Sequence, residues 1–250
     1  MDTGKIRAEF YRIKALGYLP NVKSDKNDGG AGNTFEAHLG VEENNKRDAD
    51  FDNFEVKTKQ LFLKSKSPIT LFSKSPTFPK GGDDYMRQNW GVPDSNYPNV
   101  LCFRTSLFAN RWSIVYGASK LKVEVDRESE RVYLIKADLD GNVLDRTVYW
   151  SFDDIHSGAK KLENLFLVDA MVEERNGKLH FNYVNATAYV EYVGNTDFIE
   201  LLEQGVIQYD NRLGVHGAGT KHAGKPHNHG GGFRIHKKNV EQLYRVVVDI

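Results

Sequence analysis

The stretch from Arg47 to Lys59, RDADFDNFEVKTK, constrains this chain more than any other. Phe54 and Val56 alternate with Glu55, Lys57 and Lys59, the two-residue period of a β-strand with one buried face. The chain must therefore build a sheet around it. The polar face is more specific still. Glu55 and Lys57 project the same way, and Asp50 stands five residues before Glu55, near the start of the strand. Two carboxylates and one ammonium can converge on one spot. Paired carboxylates suit one or two Mg²⁺ ions, which take hard oxygen ligands. A neighbouring lysine suits activation of water, or stabilisation of charge on a phosphate under attack. The pattern points to metal-dependent hydrolysis of a phosphodiester. A half-buried strand whose outer face is simply charged has the same letters, so the surroundings must decide.

Charge distribution supplies the first argument. The net charge of the 250 residues is zero, yet the charges are partitioned. Between Val56 and Gly82 there are six lysines, at 57, 59, 64, 66, 74 and 80, and no acid. Between Asn211 and Val240 there are six more bases, Arg212, Lys221, Lys225, Arg234, Lys237 and Lys238, again with no acid. Glu36, Glu42, Glu43, Asp48, Asp50, Asp52 and Glu55 gather within twenty residues. Two basic tracts around an acidic focus fit a polyanion held over a metal site. Either tract alone would read as a solvated loop.

Other classes drop out. Apolar and charged contents of 40% and 27% are those of an ordinary globular protein. No apolar run reaches the length of a membrane span, and the N-terminus lacks the apolar core of a signal peptide, so the expected location is the cytoplasm. Cys102 is the only cysteine, which excludes internal disulfides and thiolate metal cages.

Along the chain, residues 1–19 read as a helix with Ile6, Phe10, Ile13 and Leu16 on its apolar stripe and Tyr11 beside them. A second helix is expected to start near Asn33 or Thr34, with Phe35, His38 and Leu39 inward and Glu36 either a first-turn carboxylate or a support for the metal. Residues 69–72 read as another strand of the Glu55 sheet. Residues 74–82 form a loop whose lysines and hydroxyls suit phosphates. Residues 83–90 read as a short helix, 100–151 as β-rich, and 153–163 as a helix. Residues 165–172 and 179–184 form a hairpin about Asn176-Gly177. A helix over 196–204 stops at Gly205, a strand spans 206–213, and a last strand covers 244–250. Residues 1–100 are mainly a catalytic lobe and 101–250 mainly a β-rich recognition lobe, on one continuous core.

A second constellation lies in DNRLGVHGAGTKHAGKPHNHGGGFRIH, Asp210 to His236, which holds five of the eight histidines. Asp210 and Arg212 share a strand face, His227 and His229 are two apart, and Arg234 follows. Arginine pairs bidentately with guanine, aspartate accepts from cytosine N4, and histidine donates to guanine acceptors, so the set suits G·C pairs in the major groove. The glycines allow backbone to approach DNA closely. His227-Asn228-His229 could instead contribute to a zinc site, though no cysteine accompanies it, or belong to a polar loop without a role.

With both constellations in view, the chain resembles the MvaI/BcnI group of type II restriction endonucleases, members of the PD-(D/E)xK nucleases related to the mismatch-repair nicking enzyme MutH. The blocks that carry the likeness are GNTFEAHLGVEE, DADFDNFEVKT, LFSKSPTFPKG, VYWSFD and DNRLGVHGAGTKHAGKPHNHGGGFRI, in the family's order. Ala49 stands where the motif's name has proline. The resemblance implies a mixed α+β fold: a central mixed sheet flanked by helices, with a second, β-rich DNA-recognition lobe. It implies catalysis by Asp50, Glu55 and Lys57, with Glu36 supporting, and Mg²⁺ on Asp50 and Glu55. Asp210, Arg212, His227, His229 and Arg234 would read bases, while Lys59, Lys74, Lys80, Lys221 and Lys225 would hold the backbone. The implied enzyme cuts double-stranded DNA at a short G·C-flanked site such as CCWGG or CCSGG. It acts as a monomer, one strand at a time, without an obligate protein partner and alongside a cognate DNA methyltransferase. A MutH-like repair nickase and a non-catalytic DNA-binding protein are the alternatives.

Overall fold

A computed structural model of the chain describes residues 2–23, 29–40, 50–61 and 67–250. Glu42, Glu43, Asp48, Lys64 and Lys66, part of the charge pattern above, lie outside them. The fold is mixed α+β. Its residues group into two units, each discontinuous in sequence: Met1–Ile69, Lys160–Val193 and Lys238–Ile250 form one, and Thr70–Ala159 with Gly194–Lys237 forms the other. Among the described residues no helix is long and apolar enough to cross a membrane.

The first unit is built on a mixed sheet. In order across it lie Leu19–Pro20, Lys178–Tyr192, Leu165–Arg175 and Glu55–Gln60, with Tyr244–Asp249 also paired to Lys178–Tyr192. Glu55–Gln60 is an edge strand and runs parallel to Leu165–Arg175. The Asn176-Gly177 turn, with both residues in the left-handed region, closes a hairpin longer than its apolar pattern suggested. Helices Gly4–Lys14 and Gly30–Leu39 contribute Ile6, Phe10, Ile13, Ala31, Phe35 and Leu39 to a core shared with Phe54, Val56, Phe166 and Val168. The first helix ends at Lys14, so Leu16 leaves the apolar stripe and, like Tyr11, is exposed. The second helix starts at Gly30, ahead of the expected Asn33 or Thr34. Thr34 does not cap it: its side chain is buried and accepts from the Val22 amide at 3.3 Å.

The second unit holds two sheets. One contains Ser113–Val115, Ser119–Asp126, Arg131–Ala137, Val143–Asp145 and Tyr149–Ser151. The other runs Ile69–Ser73, Gly232–Ile235, Ile207–Val215, Leu101–Leu107 and Val92–Pro93, with Pro226–Asn228 beside Ile207–Val215. Ile69–Ser73 therefore does not join the Glu55 sheet as expected. Phe72 packs 5.1 Å from Phe233 and 5.6 Å from Phe198, ring to ring, and those contacts hold the strand here. The expected 153–163 helix is a helix over Phe152–Ala159 followed by a 3-10 turn, Lys160–Leu162.

Candidate active site and nucleic-acid interface

The acidic strand owes its geometry to a two-residue turn. Phe51 and Phe54 pair as antiparallel neighbours, exchanging N–H···O bonds of 3.0 and 2.8 Å. Asp52 and Asn53 between them have φ of 46° and 68°, the left-handed pair that such a tight hairpin demands. The reversal carries Asp50 back over the strand, where its Oδ2 accepts from the Val56 amide at 2.9 Å. Asn164 secures the turn: its side chain donates to the Asn53 carbonyl at 3.2 Å, and its own carbonyl accepts from the Glu55 amide at 2.9 Å.

Glu55 departs from the expected charged outer face, being only 1% exposed. Parallel pairing sets Leu165 beside Glu55, and Tyr189 lies across from Leu165 in the next strand, so the Glu55 face is covered by buried side chains. An isolated carboxylate there would be costly. Its Oε1 accepts from Lys57 on the same strand and from Lys161, whose Nζ is 2.5 Å away. Lys161 arrives from the 3-10 turn that feeds the parallel strand, and no local pattern around Glu55 announces it. Glu55 Oε2 is buried and has no hydrogen-bond partner among the described residues. Burial first, then the Glu55 charge, hold the Asp50 carboxyl above the usual carboxylate range against the pull of the Val56 amide, Lys57 and Lys161.

No three His, Cys, Asp or Glu side chains among the described residues cluster as a preformed metal cage. The two carboxylates nevertheless fit a hard divalent cation. An orphaned carboxylate oxygen beside a second, half-buried carboxyl offers the donors that Mg²⁺ takes while keeping most of its waters. Glu36 sits half-buried on the second helix. A Cβ at Gly32 would lie 3.7 Å from its Oε1 and 3.4 Å from Thr58 Oγ1, which places Glu36 toward the helix-covered face of the strand. Lys59 donates to the Ser67 carbonyl, Lys74 pairs with Asp154 at 2.7 Å, and Lys80, Lys221 and Lys225 are exposed.

In the second unit the 207–215 strand gathers the other constellation. Gln208, Asp210, Arg212 and Gly214 alternate onto one face. Antiparallel register adds Arg234 opposite Gln208, His227 opposite Gly214, and Arg104 opposite Arg212. Directly paired residues share a face. Both oxygens of Asp210 are engaged, one by Gln208 Nε2 and one by Arg234 Nη1, each at 2.5 Å. Arg212 Nε donates to the Gly230 carbonyl at 3.0 Å, and the His229 amide donates to the Arg212 carbonyl at 3.3 Å. Burial and the Arg234 charge lower the Arg212 guanidinium from its ordinary range.

The histidine segment is thus less of a loop than its glycines suggested. Pro226–Asn228 and Gly232–Ile235 are strands, and a Cβ at Gly231 would fall 1.9 Å from the buried Tyr209 hydroxyl. The His227 ring stacks on His216 at 4.0 Å and meets His229 at 3.8 Å. Burial, those two rings and Arg87 keep His227 below the usual histidine range. Sequence reasoning missed Arg87. It is buried in helix Gly82–Trp90 and donates to the carbonyls of Leu101, Gly214 and His227 at 2.8, 2.8 and 3.2 Å, tying three strands of this sheet together.

The sequence model of the MvaI/BcnI restriction endonuclease family matches residues 7–244. No match was found among curated proteins. Two solved structures are similar over the whole chain and 99% of their own. The complex of restriction endonuclease MvaI with its cognate DNA substrate has 28% identity and a TM-score of 0.87. MvaI in the absence of DNA has 29% identity and a TM-score of 0.59.

Proposed function

The chain belongs to the MvaI/BcnI restriction endonuclease family and is a site-specific deoxyribonuclease, and from that premise we propose that it is a Mg²⁺-dependent type II enzyme of the first unit's acidic strand. The observation that carries this reading is the Glu55 carboxylate: buried, fixed through Oε1 by Lys57 and Lys161, and with Oε2 unclaimed by any described residue beside Asp50. Asp50 and Glu55 would hold one or two Mg²⁺ ions, which when bound supply charge neutralisation at the phosphate and a more acidic water. Lys57, on the Glu55 side of the strand, orients the attacking water. Its ammonium stands where negative charge grows on the phosphate oxygens. Glu36 has at most a supporting part.

The substrate is double-stranded DNA with a short, nearly palindromic G·C-flanked site such as CCWGG or CCSGG. Base reading falls to Asp210, Arg212, His227, His229 and Arg234. The convergence of Asp210, Arg212, Arg234 and His227 on one sheet face supports this, since that face presents fixed donors and a doubly anchored acceptor. Lys59, Lys74, Lys80, Lys221 and Lys225 attract the phosphate backbone, so affinity falls with salt. The protein works in the cytoplasm as a monomer, cutting one strand and then the other, and is accompanied by a methyltransferase that protects the host site.

Digestion of a plasmid of known sequence with Mg²⁺, followed by run-off sequencing of the ends, reports site and stagger together. Linear product with fixed ends supports the proposal, whereas a persistent nick would favour a repair nickase. Lys57→Ala should abolish cleavage and retain DNA binding. A variant that still cuts at the parental rate removes Lys57 from the mechanism.

A further inference from the structure

Arg104 was not part of the basic tracts, and nothing local marks it. It lies mid-strand in Leu101–Leu107, Cα to Cα opposite Arg212. Two like charges directly opposed on a sheet are unfavourable, so a plain structural strand would not choose them. Its backbone is fixed, with the Arg104 amide donating to the Tyr116 hydroxyl at 2.9 Å. Its side chain is held more loosely: it is 56% exposed, its one ion pair among the described residues, with Asp94 Oδ2, is long at 3.8 Å, its guanidinium makes no hydrogen bond to any of them, and the other oxygen of Asp94 serves the amides of Asn96 and Tyr97.

The guanidinium leans over bare backbone. A Cβ at Gly214 would lie 2.7 Å from Arg104 Nη2 and 3.2 Å from its Nε, so glycine at 214 leaves the room the fork occupies. Gly214 is also the residue paired with His227. Arg104 therefore presents donors that no described residue hydrogen-bonds, among Arg212, Gly214 and His227, in the middle of the face assigned to base reading.

We propose that Arg104 is a further specificity-determining residue, whose guanidinium pairs bidentately with the O6 and N7 of a guanine within the recognition site. This rests on the reading of that face as the DNA reader. An arginine fork matches both acceptors of one guanine edge, and lysine does not reproduce two parallel bonds. Gly214 acts with it as a positioning residue, through the space it leaves.

The test uses the full chain without divalent cation. Duplexes selected by the wild-type protein from a randomised pool define the preferred site independently of cleavage. Affinities of Arg104→Ala, Arg104→Lys, Gly214→Ala and Arg212→Ala are then measured on that site and on random duplex, across salt. The expected result is a roughly 5- to 150-fold loss on the preferred site for Arg104→Ala, with random duplex unchanged and no rescue by lysine. Gly214→Ala should show a loss of the same kind, and adding it to Arg104→Ala should cost nothing more. Equal losses on both duplexes with a shallower salt slope, or rescue by lysine, would make Arg104 a phosphate contact and overturn the proposal; so would wild-type affinity. If Arg212→Ala also fails to discriminate, the base-reading assignment of the whole face has failed, not that of Arg104 alone.

Discussion

Asn53→Val isolates the turn that brings the two acids together. Asn53 is exposed and its side chain makes no hydrogen bond among the described residues, so the substitution removes little packing. It acts on the backbone. At φ 68° asparagine is tolerated, whereas a β-branched residue is a steric outlier. The left-handed conformation costs an ordinary residue roughly 1–2 kcal/mol, and valine should meet at least that. The bond from the Val56 amide to Asp50 contributes about 1 kcal/mol net. The strain matches or exceeds that one bond, so with the Phe51–Phe54 pair and Asn164 still holding the turn closed it is relieved by a shift of Asp50 away from the Val56 amide. About 1.4 kcal/mol is tenfold in rate, so single-turnover cleavage at saturating DNA and Mg²⁺ should fall ~10-fold. The melting temperature should drop by ~2–4 °C per kcal/mol for a chain of this size. Asn53→Gly, which meets no such penalty, should keep the parental rate. If valine and glycine at 53 cleave alike, the turn does not set the position of Asp50.

Two further outcomes follow from burial. Asp50 has a pKa raised above its unfolded value, so its neutral form favours the fold; that contribution is full below the unfolded pKa near 3.8 and lost as pH rises through the folded one. In metal-free buffer Asp50→Asn should accordingly melt higher than the parent at neutral pH, with the gap closing below about pH 4, and Mg²⁺ should stabilise the parent but not the variant; equal melting curves at pH 7 would contradict the burial argument. Arg87→Met bares the carbonyls of Leu101, Gly214 and His227, each worth ~1 kcal/mol or more when left unsatisfied, partly offset by no longer burying a charge. The urea midpoint should shift by ~2 kcal/mol of stability at constant m, and an unchanged midpoint would show that the sheet does not depend on this strap.

What could be read from the letters was local. The alternation from Phe54 to Lys59 marked a strand and put Glu55 with Lys57, and the spacing of Asp210 and Arg212 put them on one face. The burial of Glu55 was not legible, because Leu165, Tyr189 and Lys161 reach it through pairings between distant segments. Arg104 escaped for the same reason: only register across strands sets it opposite Arg212. Thr34 misled in the other direction, since a residue type that caps helices was used by a neighbouring loop. Period-two patterns report which way a side chain points, while partner strands decide what it meets.

The chain passes between the two units four times, and this sets an order of completion during synthesis. A ribosome that has released Lys237 has delivered every residue of the unit that carries Asp210, Arg212 and Arg234. The unit with Asp50 and Glu55 still lacks Tyr244–Asp249, which pairs along Lys178–Tyr192 and brings in Tyr244, a buried phenol within reach of the Glu55 charge. Vectorial folding closes elements as they emerge. A nascent chain can therefore finish the sheet that holds its arginines while the sheet that holds its buried glutamate still waits for a strand.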